Sequence, residues 1–183
     1  MPHITGSELR RSNPRTLADL ARVRVSDVSD SVTVERNIAA PPEAVWALIS
    51  DVRRMGEFSP ENVGCEWIGD RREPVVGARF RGTNRNGKRQ WKTVCKVVQS
   101  EPARVFAFEV KAAGLRVARW EYRFDPTDAG GCRVAETWID QRGKLATWLG
   151  GPVSGVRNRA GHNRAGMVTT LERVAATAEG TPA

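Results

Sequence analysis

Histidine is scarce in this 183-residue chain, with only His3 and His162 present. That count excludes metal centres built on imidazole clusters, and a Ser-His-Asp triad would have to rest on His162 alone. His162 sits beside Gly161, off the apolar stripe of its helical segment, where a solvated imidazole is expected. Cysteine is nearly as sparse: Cys65, Cys95 and Cys132 stand far apart with no CxxC pair. Three thiols cannot close a complete disulfide framework, and their spacing does not suit zinc, so reduced thiols of a cytoplasmic protein are expected. The chain also lacks a Walker A loop, a GxGxxG after a strand, and any apolar run near the ~20 residues of a membrane helix. Its first residues lack the apolar stretch of a signal peptide. The expectation is a cytoplasmic protein with no metal, no cofactor and no membrane span; the oligomeric state is left open.

What is present is ordinary globular composition, 40% hydrophobic and 27% charged, with an unusual net charge of +8. The 29 basic residues are spread along the chain beside 21 acidic ones. Their densest group, Arg79, Arg81, Arg85, Lys88, Arg89 and Lys92, surrounds one expected hairpin. This pattern favours a solvated basic face over a nucleic-acid site. A regulatory role, in which this hairpin and the N-terminal segment dock a partner, is a further alternative.

Residues 1–30 are polar and carry breakers, and read as a mobile N-terminal tail; Thr16 to Val23 allows a short amphipathic helix. Organisation begins at Ser31, where Val32, Val34 and Ile38 alternate along a strand. In "APPEAVWALISDV", Pro42 suits a first helical turn, Glu43 favours the positive helix end, and Val45, Ile49 and Val52 repeat at helical spacing. A second, looser turn follows in "RRMGEFSPE". From residue 63 the period changes to two. Val63, Cys65 and Trp67 share one face; so do Ala78, Phe80 and Gly82; Trp91, Thr93, Cys95 and Val97; Phe106, Phe108 and Val110; Ala118, Trp120, Tyr122 and Phe124; and Cys132, Val134 and Trp138. Asn86-Gly87 predicts a type I′ hairpin turn. A last helix, about Val156 to Thr177, carries Val156, Ala160, Asn163, Met167, Leu171 and Val174 on one stripe.

The order is strand, two short helices, six antiparallel strands, long helix. It predicts an α+β fold of one curved seven-stranded antiparallel sheet wrapped around the C-terminal helix, spanning residues 31–178, with a short tail at 179–183. A helix about 10–12 Å across cannot cover seven strands tightly, so the count itself predicts a cavity between sheet and helix.

With "APPEAVWALISDVRRMGEFSPE" near its start and "DPTDAGGCRVAETW" near the end of the sheet, the chain resembles the START-like, or SRPBCC, helix-grip superfamily, and in particular its polyketide cyclase/dehydrase branch. It is similar, more loosely, to the coenzyme-Q-binding proteins of that superfamily. The resemblance covers about residues 31–176. It implies a cavity between the sheet and the last helix, with the loop after the first helices near its mouth. Met55 and Phe58 would then be apolar groups of that mouth, with Gly56 letting the turn bend and Pro60 ending it; the other reading is a corner that seals the core. The fold hosts lipid carriers, hormone receptors, cyclases and aromatases, so it does not decide function.

Within the expected cavity, strand phase places Trp67, Phe80, Trp91, Phe106, Phe108, Trp120, Tyr122 and Trp138 on the inner face, opposite Met167 of the helix. These rings can hold an apolar ligand or fill a core. Glu136 shares the phase of Val134 and Trp138. A carboxyl there needs a partner or a raised pKa, and can orient a ligand hydroxyl or move a proton; a bulge or an arginine partner is the structural alternative. Asn163 lies mid-stripe and can donate and accept without charge. The favoured function is binding of a hydrophobic small molecule, polyketide, isoprenoid or lipid-like. The alternative is a polyketide cyclase or aromatase using Glu136, with Tyr122.

Overall fold

The computed structural model describes residues 24–28, 30–143, 148 and 153–180. Its elements run β1 (Arg24–Val28), β2 (Ser31–Ile38), α1 (Pro42–Ser50), a 3-10 turn (Val52–Arg54), α2 (Met55–Phe58), β3 (Asn62–Ile68), β4 (Arg79–Asn86), β5 (Arg89–Glu101), β6 (Val105–Ala112), β7 (Leu115–Pro126), β8 (Cys132–Asp140) and α3 (Arg159–Ala178). The strands form one antiparallel sheet in the order β1-β2-β8-β7-β6-β5-β4-β3. All seven expected strands form. An eighth, β1, comes from the segment read as a tail: Arg24–Val28 pairs with Ser31–Glu35 and adds the edge next to β2. Residues 24 to 28 read RVSDV, with Val25 and Val28 three apart, so no alternation announces a strand, and the neighbouring β2 edge supplies the partner. The expected helix at Thr16–Val23 lies outside the described residues.

The alternating faces follow the sequence. Phe80, Phe106, Val97, Val134 and Leu171 are fully buried in one core that also includes Val45, Ile49 and Val52 of the first helical segment. Pro42 opens α1 with Glu43 in its first turn, and Asp51 caps the 3-10 turn by accepting from the Arg53 N–H. The β4–β5 connection differs in detail from the expected type I′ turn. Asn86 pairs with Arg89, so Gly87 and Lys88 make the turn, and of the two only Gly87 has positive φ, +57°. That is the signature of type II′.

α3 starts at Arg159 rather than Val156. Asn158 Oδ1 accepts from the Gly161 N–H at 2.9 Å, which sets the helix start, and Gly155 at φ +72° lies outside it. Its buried stripe is Asn163, Met167, Thr170, Leu171, Val174 and Ala175, while Ala160 is exposed. Glu179, assigned to a tail, ties that end down: its carboxylate accepts from the Ala39 N–H at 2.8 Å.

Gly56 serves close approach rather than bending. A Cβ there would stand 3.0 Å from the backbone carbon of Val63 and 3.1 Å from the nitrogen of Gly64. α2 therefore lies directly on β3. At the same place β3 is irregular: Asn62 pairs with Asn84 and Gly64 with Thr83, leaving Val63 as an extra residue. This bulge turns Val63 outward, where it is exposed, and Asn62 inward, where it is buried. The expectation of an inward Val63 fails for that reason.

Candidate functional site

Between the concave sheet face and α3 lies a cavity of about 460 Å³. Phe80, Phe108, Trp120, Trp138, Tyr122 and Met167 line it, as the strand phases require. Trp91, Glu136 and Asn163 also reach it, and Met55 lines it from α2. Three predicted residues do not. Trp67, on the edge strand, stands behind Phe80, edge-on at 5.6 Å between ring centres. Phe106 faces inward but belongs to the sealed core, 5.8 Å from the Phe108 ring. Phe58 is buried under the Arg54 guanidinium at 5.4 Å and seals the corner beneath the mouth.

The chemistry of the deep end is set by β7 and β8. Their register pairs Tyr122 with Glu136, and the Tyr122 hydroxyl donates to Glu136 Oε1 at 2.8 Å. Glu136 is 2% exposed, and its second oxygen, Oε2, has no protein partner. Burial pushes the carboxyl up to about 8, against the lowering effect of the Tyr122 hydrogen bond. Burial also holds the Tyr122 phenol well above its usual range, reinforced by the neighbouring carboxyl. At neutral pH the pair is therefore uncharged, with Glu136 able to donate through Oε2.

The mouth carries a cluster that the sequence reading missed. Glu61, in the turn before β3, accepts from Arg159 Nη1 and Nη2 at 2.8 and 2.9 Å, and its Oε2 lies 2.8 Å from His162 Nε2. Arg159 also stacks over Trp91 at 5.8 Å from the ring centre. His162 is thus a half-buried cavity residue bonded to a carboxylate, contrary to the expected solvated imidazole. The sequence separation from Glu61, 101 residues, hides this contact from any local pattern.

A second polar group lies on β3, β4 and β5: Asn62, Asn84 and Thr93 all line the cavity. Thr93 was on the inward phase; Asn62 was not, because of the bulge. The thiols offer no nucleophile. Burial raises Cys65 to about 11 and Cys132 to about 12, and lifts Cys95 further still. Among the described residues no three His, Cys, Asp or Glu side chains gather as a metal site, and no helix is long and apolar enough to cross a membrane.

The sequence profile of the polyketide cyclase/dehydrase and lipid transport family matches residues 29–179, which span the whole sheet from β2, the cavity and α3. The chain belongs to this family. Among solved structures similar to this cyclase/dehydrase family member is the Polyketide_cyc-like protein Cgl2372 from Corynebacterium glutamicum, 31% identical, covering 81% of this chain and 91% of that one at a TM-score of 0.56. Protein MLL2253 from Mesorhizobium loti matches at 20% identity over 84% and 99% of the two chains, TM-score 0.59. DynU16, a putative protein in the dynemicin biosynthetic locus, matches at 16% identity over 85% of this chain and 49% of its own, TM-score 0.57. The last two share the helix-grip fold with this family member. No curated protein matches the chain.

Proposed function

We propose that the protein binds a hydrophobic small molecule in the cavity under α3. One observation carries the reading: a space of about 460 Å³ lies open inside the fold, walled by Phe80, Phe108, Trp120, Trp138 and Met167, with an unpartnered carboxyl oxygen on its wall. A well-packed core leaves few voids larger than a water molecule. A polyketide, isoprenoid or lipid-like guest gains about 0.8 kcal/mol for each methylene it buries, and the few polar groups fix its orientation. The test is titration of the full chain with 1-aminoanthracene, an uncharged apolar fluorophore. Saturable one-to-one binding is expected, with native mass spectrometry of fresh protein showing a retained small molecule. Absence of saturable binding sinks the reading.

A second reading, proton transfer on a poly-β-keto chain, is favoured by the state of Glu136. Its carboxyl, at about 8, is a proton donor at neutral pH held by Tyr122 in an apolar chamber. Glu136→Gln separates the two readings. A carrier keeps its ligand when Glu136 is replaced; an enzyme keeps binding and loses turnover of a model poly-β-keto thioester.

A further inference from the structure

The cavity has a second polar pole whose hydrogen-bonding character can be read from its connectivity. Asn62 Oδ1 accepts from the backbone N–H of Gly64 at 3.0 Å. A backbone N–H can only donate, so this bond fixes which way the Asn62 amide points. Asn62 Nδ2 must then donate, and it does, to Asn84 Oδ1 at a longer 3.4 Å. That fixes Asn84 in turn, and Asn84 Nδ2 donates to Thr93 Oγ1 at 3.2 Å. Asn62 Oδ1 accepts a second bond, from Cys65 Sγ at 3.5 Å, so it is filled. Asn84 Oδ1 and Thr93 Oγ1 each accept one and keep one lone pair, and each amide retains a second N–H. The relay thus offers two amide N–H groups to an acceptor on a ligand.

The space above the relay is kept open by Gly82. A Cβ at Gly82 would stand 3.0 Å from Thr93 Oγ1 and 3.1 Å from Asn62 Nδ2. Any side chain at this β4 position would occupy the approach to both groups. At the other pole, Glu136 is 2% exposed and Oε2 has no partner. Between the poles stand Cys95, Val110, Phe108 and Trp120. Glu136 is on β8 and Thr93 on β5, three strand steps away through β7 and β6. The register adds an offset of about six residues along the strands, since Glu136 lies across from Tyr122, Phe106 and Ser100. At about 4.8 Å a strand step and about 3.3 Å a residue, the two are about 24 Å apart on the unrolled sheet, and less across its concave face.

We infer that the ligand is two-ended: an elongated apolar molecule with an acceptor head, of carboxylate or ketone type, on the Asn62–Asn84–Thr93 relay over Gly82, and a hydroxyl or carbonyl at its far end on Glu136. This rests on the cavity being a ligand site and adds the class of ligand it takes. A far hydroxyl is a sensitive reporter. In a purely apolar pocket end it costs desolvation and weakens binding; beside Glu136 Oε2 it finds a partner.

The experiment is titration of the full chain, followed by tryptophan fluorescence, with dodecanoic acid, 1-dodecanol and 12-hydroxydodecanoic acid, and with the sixteen-carbon equivalents. At one of the two lengths the hydroxy acid is expected to bind about fivefold or more tighter than both single-ended probes, the gain of one added hydrogen bond. Gly82→Ala should weaken the acids about fivefold or more and weaken the alcohols less than the acids. Asn84→Leu should act in the same direction, and it serves if Gly82→Ala does not fold. A hydroxy acid no tighter than its single-ended analogues at both lengths overturns the two-ended ligand while leaving the cavity reading intact, and so do variants that weaken all probes alike or none. If 1-aminoanthracene and all six probes fail to bind, the cavity reading falls and takes this inference with it.

Discussion

The Tyr122 hydroxyl donates to Glu136 Oε1 at 2.8 Å inside the fold, and the other carboxyl oxygen faces the cavity without a protein partner. The two residues are directly paired across β7 and β8. Burial, the largest influence, lifts Glu136 from its ordinary 4.5 to about 8. The folded protein therefore holds a proton that the unfolded chain gives up between these values.

Stability is accordingly expected to fall as pH rises from about 4.5 to about 8 and then to level. The folded state binds more protons than the unfolded state in that window, so the stability present below pH 4.5 is lost through pH 8. The slope is on the order of 1 kcal/mol per pH unit from this group. Urea unfolding at pH 5 and pH 8.5 measures it. Glu136→Gln keeps an acceptor for Tyr122 and cannot ionise, so it should flatten the profile and exceed the wild type at pH 8.5. An unchanged slope in that variant places the titration elsewhere.

Gly56→Ala should destabilise the protein by about 1–3 kcal/mol, because its Cβ meets the Val63 backbone at 3.0 Å and α2 must lift from β3. Gly64→Ala is the control: nothing lies within 4 Å of a Cβ there, and its effect should stay within about 0.5 kcal/mol. Denaturant midpoints of the two variants compare them directly. Equal midpoints contradict the close-approach account.

The clasp of Glu61 with Arg159 and His162 should couple the turn before β3 to α3. Glu61 and Arg159 side chains are each 19% exposed, so water screens them less than a surface pair. A double-mutant cycle on Glu61→Gln and Arg159→Met is expected to return a coupling of about 1 kcal/mol or more. Because the clasp lines the mouth, Glu61→Gln should also speed association of 1-aminoanthracene in stopped-flow traces. Strict additivity of the two substitutions would mean that the observed bonds contribute nothing.

With Cys65 at about 11, Cys132 at about 12 and Cys95 higher still, native thiols are protonated at pH 8. Ellman's reagent should label them slowly in native protein and label all three at once in urea. Rapid stoichiometric labelling of native protein would show that one thiol escapes burial.

Much of the architecture was legible in the chain. The period-two runs from β4 to β8 placed Phe80, Phe108, Trp120, Tyr122 and Glu136 on the inner face, because alternation is a property of the strand itself. The α3 stripe gave Asn163 and Met167 for the same kind of reason, at helical period. Phase says which face a residue takes; it does not say how much packing lies beyond it. Phe106 and Trp67 therefore share the phase of the cavity residues and still do not line it.

Local periodicity, then, was enough to determine a curved antiparallel sheet, its covering helix and the inward carboxyl at Glu136. Tertiary structure alone decided the bulge that turns Asn62 inward, the eighth strand Arg24–Val28, the Tyr122–Glu136 bond and the meeting of Glu61 with His162. The physical reason is range. Alternation and helical repeat are written into neighbouring residues, whereas register, bulges and contacts across 101 positions depend on which strands and helices the whole chain brings together.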